Sequence, residues 1–365
     1  MDKQAFTSRQ AICVLTVFIL GSSVVLGGFS DTEQDSWLCI VLSQVFVIPI
    51  LFVYARIIKL YPEKNIYEIA EILFGKSIGK IIDVLFIWYS IHLAALVLRN
   101  FSEFIEIVAM PETPQLPIML IIVLVAAYLT KSGAKVLGKW AVISLTVIFS
   151  FFIITVALLF PQMNFANFFP VINHSTKAIF SGAYNMFAYP FAETVLFLTI
   201  ADFLKKEDSP FKIYLIGEII GALILFLVVL RNIASIGPKL MKAEYFPSYI
   251  SARIISVSDF LTRIEGSIST NFVFAGVTKI TLCLFAASKG LANLFQIQDY
   301  KKMILPVSLI SVALSCILYS STMEMINFLK VYVIYVIPFQ IFIPIIIWLG
   351  CEIKTRFKKT TVQST

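Results

Sequence analysis

Ten stretches of this chain are each apolar over roughly 20 residues, the length of helix that crosses the hydrocarbon of a bilayer. They run at about 10–29, 37–58, 81–108, 116–130, 139–160, 178–203, 212–236, 268–290, 303–321 and 326–350. The pattern admits one architecture, an all-α polytopic membrane protein. A chain that is 59% hydrophobic and only 14% charged has too little polar surface to fold as a soluble domain. The reading is a single transmembrane domain over 1–365, with one repeat at about 10–160, a second at about 178–350, and a basic tail at 351–365. The fourth stretch is short, which points to tilt, local thinning or burial by neighbours. Residues 1–10 lead into the first run without a convincing cleavage site, so no cleaved leader is expected.

Two of the ten carry helix-weakening residues at their middle, and they sit at matching places in the two halves. The first is interrupted by Gly21-Ser22-Ser23 and closed by Gly27-Gly28. The sixth is interrupted by Tyr189-Pro190, with Glu193 just beyond. A helix that loses its ladder inside lipid leaves N–H and C=O groups unpaired, which is tolerated only where the gap is buried or lines a cavity. Small residues at 21–23 also suit close helix packing. The pairing of the two breaks favours an inverted-repeat carrier fold with a small-molecule site at the midplane. There, free N–H groups and a half-helix N-terminus attract a carboxylate, and free carbonyls attract an ammonium or a cation. A zwitterionic amino acid satisfies both, and the break is expected to be a gap that ligand fills.

Lysine and arginine set the orientation. With the N-terminus inside, twenty of them fall in inside segments and five outside: Lys177, Lys239, Lys242, Arg253 and Arg263. The positive-inside rule therefore predicts both termini in the cytoplasm. The net charge of +7 follows from this bias and from anionic lipid, with no need of nucleic acid. Of the connectors, 66–75 has helical apolar spacing and reads as a short surface helix. The external loop 237–266 is the longest and holds an amphipathic stretch at 250–264. It is either a lid over the site or a docked connector.

Ionisable residues inside spans are costly unless paired or solvated. Lys279 lies near the centre of the eighth stretch. It is either a structural lysine or a functional cation, one that replaces a bound Na⁺ or meets ligand. Glu193 pairs with Lys279, serves as a proton site, or is a plain structural carboxylate. Arg99 and Glu103 are four apart on one helical face and read as a local ion pair, with Glu106 nearby. Tyr89 offers a hydroxyl and a ring to a pocket, or simply packs, and His92 shares its face. The five cysteines, Cys13, Cys39, Cys283, Cys316 and Cys351, are scattered and read as small core residues. Two histidines far apart make a metal centre improbable. No nucleophile–base pair or dinucleotide fingerprint is present. Gly75-Lys76-Ser77 lacks the upstream glycine and strand of a phosphate-binding loop. The chain does not read as an enzyme, and no cofactor is expected.

With these residues in view the chain resembles the B subunits of spore germinant receptors, a branch of the amino acid–polyamine–organocation superfamily. The resemblance covers nearly the whole length. It rests on Ile19-Leu20-Gly21, Leu98-Arg99-Asn100, Glu193-Thr194-Val195-Leu196-Phe197-Leu198, and Leu294-Phe295-Gln296 with Asp299-Tyr300-Lys301. It rests most on Tyr245-Phe246-Pro247-Ser248-Tyr249 followed by Ser258-Asp259-Phe260-Leu261-Thr262-Arg263-Ile264-Glu265. It implies a LeuT-like fold of ten helices in a 5+5 inverted repeat, with helices one and six broken. It implies a sensor of a small germinant, an amino acid by class, in the inner spore membrane, with an A subunit and a lipoprotein C subunit as partners. By position the pocket would involve Gly21, Tyr89, Pro190, Lys279 and Cys283, with Ser22, Ser23, Tyr189 and Glu193 added from the breaks. The alternatives are a proton-coupled amino acid transporter and a ligand-gated ion conduit. Gly27-Gly28, where such chains often continue to a proline, and the bulkier Pro190 are departures that leave the ligand open.

Overall fold

The computed structural model describes residues 5–26, 32–255 and 264–363. Gly27-Gly28, Asp31 and positions 258–263 of the loop motif lie outside them. Every long element among the described residues is helical. In chain order these are α1 (Ser8–Leu20), α2 (Ser23–Leu26), α3 (Ser36–Leu60), α4 (Ile66–Val108), α5 (Gln115–Ser132), α6 (Ala134–Leu159) and α7 (Thr176–Ala188). There follow a 3-10 segment (Phe191–Phe203), α8 (Pro210–Ile236), α9 (Pro238–Ala243), α10 (Pro247–Arg253) and α11 (Glu265–Leu294). The chain ends with α12 (Ile304–Ile317), α13 (Thr322–Tyr335), a π turn (Pro338–Phe342) and α14 (Ile343–Gln363). Among the described residues nine segments are long and apolar enough to span a membrane, and Ser8–Leu20 is a shorter apolar helix that α2 extends beyond the first break. That reproduces the ten expected spans. The fourth is 18 residues, about 27 Å of helix, so it nearly crosses unaided.

Polar caps start the helices where the chain meets water. Thr7 and Gln10 close a reciprocal capping box on α1, at 3.3 and 3.0 Å. Asn65 and Glu68 do the same for α4, where Asn65 Oδ1 accepts from Tyr67 and Glu68 N–H, both at 3.1 Å. The expected 66–75 helix is present, but its Ile66, Tyr67, Ile69 and Ala70 are buried, so it is docked against the bundle. Gly75, at φ 77°, is the corner from which the chain turns into the third span.

The centre of the molecule is α1, the second half of α4, α11 and the 3-10 segment, most of whose residues are buried, while α5, α6, α12 and the first half of α4 expose apolar faces to lipid. Gly217 and Gly221, one turn apart on α8, let α1 approach until Leu15 and Ile19 fill the space of their missing side chains. Of the cysteines, Cys316 departs from expectation: it is exposed, while the other four are buried.

The described part of the long loop is docked. Ser248 Oγ donates to Val24 O at 2.9 Å, tying α10 to α2, and Phe246 meets Phe104 edge-on at 5.0 Å. Nearby, the buried Asp35 carboxylate accepts from the N–H groups of Ile172 (2.8 Å), Asn173 (2.8 Å) and His174 (3.1 Å), and faces His174 Nδ1 at 2.9 Å. This knot fixes the connection before the sixth span to the start of the second.

Candidate functional site

Both breaks form where the sequence places them. The Gly21 N–H ends α1 on Val17 O at 3.0 Å, and the Leu26 N–H resumes from Ser22 O at 3.1 Å. Gly21 itself sits at φ 29°, ψ −125°, a backbone that side chains disfavour. In the sixth span the Tyr189 N–H ends α7 on Asn185 O at 2.9 Å. After Pro190 the chain holds 3-10 geometry for 13 residues, far beyond the usual three or four. Outside hydroxyls brace this poorer ladder: Tyr54 OH reaches Ala192 O and Tyr214 OH reaches Thr194 O, both at 3.4 Å.

Between the breaks lies one ion pair. Lys279 of α11 donates to Glu193 Oε2, and Tyr332 of α13 donates to Glu193 Oε1. Lys279 and Glu193 are both 0% exposed. The Lys279 ammonium also lies 5.1 Å from the centre of the Phe18 ring and 5.0 Å from that of Tyr189, so an aromatic face flanks it from each broken span. The lysine fills the first break. A Cβ on Gly21 would stand 2.5 Å from Lys279 Cδ and 3.3 Å from its Nζ. The gap expected there is therefore occupied by the chain's own side chain, because the lysine stem is long enough to thread between α1 and the 3-10 segment.

Gly21, Ser22, Ser23, Tyr189, Pro190, Glu193 and Lys279 come together here, with Ser22 and Ser23 buried beside Tyr189. Cys283 lies one turn along α11 from Lys279, fully buried. Tyr89 is one step removed: it accepts from Gln340 Nε2 at 3.1 Å and stacks on Phe339 at 4.9 Å. His92 stands apart in an aromatic cluster, stacked on Trp88 at 5.5 Å. Arg99 and Glu103 form the expected pair at 2.7 Å, away from the breaks, with Thr322 Oγ1 donating to Glu103 at 2.7 Å.

Two residues of the tenth span escaped the sequence reading. Gln340 donates to Ala188 O at 2.9 Å, capping the end of α7 at the break, and its own carbonyl accepts from Tyr54 OH at 2.5 Å. It reaches both because the π turn at Pro338–Phe342 rotates it inward. The available signals were Pro338 and a lone glutamine in an apolar run. Tyr332 carried no signal, since a tyrosine in such a run ordinarily packs. Beside the ion pair a cavity of about 20 Å³ lies between α4, the sixth-span break and α13, bounded by Asn100, Glu193, Tyr189, Phe328 and Tyr332. It has room for about one water.

Ten spans with the first and sixth broken opposite each other, among the described residues, have the arrangement of the LeuT-like class of membrane proteins. The structure superposes on that of MhsT in complex with L-phenylalanine with a TM-score of 0.64, covering 91% of this chain and 87% of that one at 11% identity. On a substrate-bound Na⁺-coupled sialic acid symporter the TM-score is 0.66, over 95% and 88% of the chains at 14% identity. These likenesses establish the fold.

Within that class the chain belongs to the spore germination protein family, whose profile matches residues 5–325. Spore germination protein KB of Bacillus subtilis is 25% identical over 354 residues, 96% of this chain and 95% of that protein. The putative spore germination protein YfkT of the same organism is 28% identical over 330 residues, 90% of each. The chain is thus a multi-pass membrane protein of spore germination, and its family makes it non-enzymatic.

Proposed function

We propose that this chain is the ligand-sensing membrane subunit of a spore germinant receptor. It binds a small germinant, an amino acid by class, at the paired breaks, and acts with A and C subunits in the inner spore membrane with both termini in the cytoplasm. The observation that carries this reading is the Lys279–Glu193 pair held between two unwound segments. An ion-coupled carrier needs a site that empties and refills as it cycles. Here a lysine supplies a fixed positive charge between both breaks, so that holding them needs no cation. The small cavity beside Glu193 joins acceptor and donor groups with apolar walls, the mixture that recognises a zwitterion with an apolar side chain. Its size means that ligand binds only after α13 or the Lys279 stem moves.

The test is binding and uptake of radiolabelled amino acids by the purified chain in proteoliposomes, with and without pH and Na⁺ gradients. Saturable binding independent of Na⁺ and without accumulation is the expected result. Gradient-driven accumulation that Gly21→Val abolishes would overturn the sensor reading in favour of a transporter.

A further inference from the structure

Another buried carboxyl, that of Glu218, plays no part in the site above. Glu218 lies on α8, about 12 Å along from its first residue and 1% exposed. Neither of its carboxyl oxygens has a hydrogen-bond partner. The adjoining Gly217 is pressed on Leu15, and Thr16 Oγ1 donates to Gly217 O at 3.2 Å, so α1 closes one side of the seam. From α3, Gln44 approaches it outside hydrogen-bond geometry, and the buried Tyr54 packs its ring 5.8 Å from that of Tyr214, one turn before Glu218 on α8. Among the described residues no salt bridge reaches Glu218.

A carboxylate at such depth needs a counter-charge. A metal cation would need a shell of several oxygens. This seam offers one side-chain amide, and the Tyr54 hydroxyl already donates to Gln340 O at 2.5 Å. A proton needs no shell, only the carboxyl itself. We propose that Glu218 is a proton-binding site at the seam of α1, α3 and α8, loaded in the closed packing described here.

The site is tied to the breaks. Tyr54 packs on Tyr214, one turn from Glu218, and also reaches Ala192 O and Gln340 O. Gln340 in turn holds Ala188 O and Tyr89. Release of the proton leaves a bare charge in the seam and favours its separation, which loosens the brace on the sixth-span break. The inference does not depend on which ligand the site takes.

Infrared difference spectroscopy of the purified chain in lipid nanodiscs tests it without any germinant. At neutral pH the native protein should show a protonated-carboxyl C=O band that Glu218→Gln removes and Glu193→Gln leaves in place. Glu218→Asp keeps the carboxyl and should shift the band, which decides the matter if the glutamine variant fails to fold. An unchanged spectrum in either Glu218 variant overturns the proposal. So does a Na⁺- or Li⁺-induced rise in melting temperature that Glu218→Gln abolishes, since that result assigns the position to a metal cation.

Discussion

Lys279→Met is the most informative perturbation of this fold, because it removes the ammonium while keeping most of the stem that fills the first break. Glu193 would then retain Tyr332 alone, fully buried. Removing one partner of a buried pair costs about 3–5 kcal/mol, since the other charge is left uncompensated. Loss of the cation–π contacts to Phe18 and Tyr189 adds to this, each at about 0.5–2 kcal/mol. Glu193→Gln should cost a similar amount from the other side, by stranding the lysine. The double variant leaves no charge to strand, so it should be little worse than either single change. The expected coupling is therefore close to the cost of one single change, about 3 kcal/mol or more, at or above the upper end for residues in contact. Both groups are 0% exposed, so solvent screening does not reduce the figure. Equilibrium unfolding in mixed micelles of the two single variants and the double variant measures it. Additivity within about 0.5 kcal/mol would refute the ion pair as the element that spans the breaks.

Gly21→Ala should destabilise by about 1–3 kcal/mol, because its Cβ meets Lys279 Cδ at 2.5 Å, and Lys279→Ala should relieve part of that loss in the same assay. A Gly21→Val protein that unfolds at the native temperature would contradict the occupied break. Tyr54→Phe removes the hydroxyl that braces Gln340 and should cost about 1–3 kcal/mol, with faster hydrogen exchange in the 191–203 segment. Asp35→Asn should speed exchange at the amides of Ile172, Asn173 and His174 and leave the breaks unchanged; protection that persists there would show that the carboxylate does not hold the loop. For orientation, single cysteines at positions 135 and 242 of a cysteine-free chain should label from opposite sides, with 135 cytoplasmic.

The spans were legible because membrane crossing demands only length and apolarity, and both are local properties. The two breaks were legible because glycine and proline act on the backbone wherever they fall. The Lys279–Glu193 pair was legible as one of three readings of Glu193, since a buried charge needs its opposite and each stands near the centre of its span. The state of the break was not. Whether a gap stays open or is filled depends on how far a side chain from a distant helix reaches, and here the residue that fills it is 86 positions from its partner.

The tenth span shows why the rest lay hidden. Tyr332 and Gln340 sit eight residues apart, yet one meets the carboxylate of the ion pair and the other caps the helix end of the sixth span. A regular helix has a single period, and hydrophobic periodicity can detect only that. The π turn between Pro338 and Phe342 adds a residue to the turn and changes the phase beyond it. Its cost is local and its benefit is tertiary, a donor for Ala188 O and an acceptor for Tyr54. Such an irregularity is stable only when the surrounding bundle supplies those partners, so it belongs to the assembled fold and not to the segment that carries it.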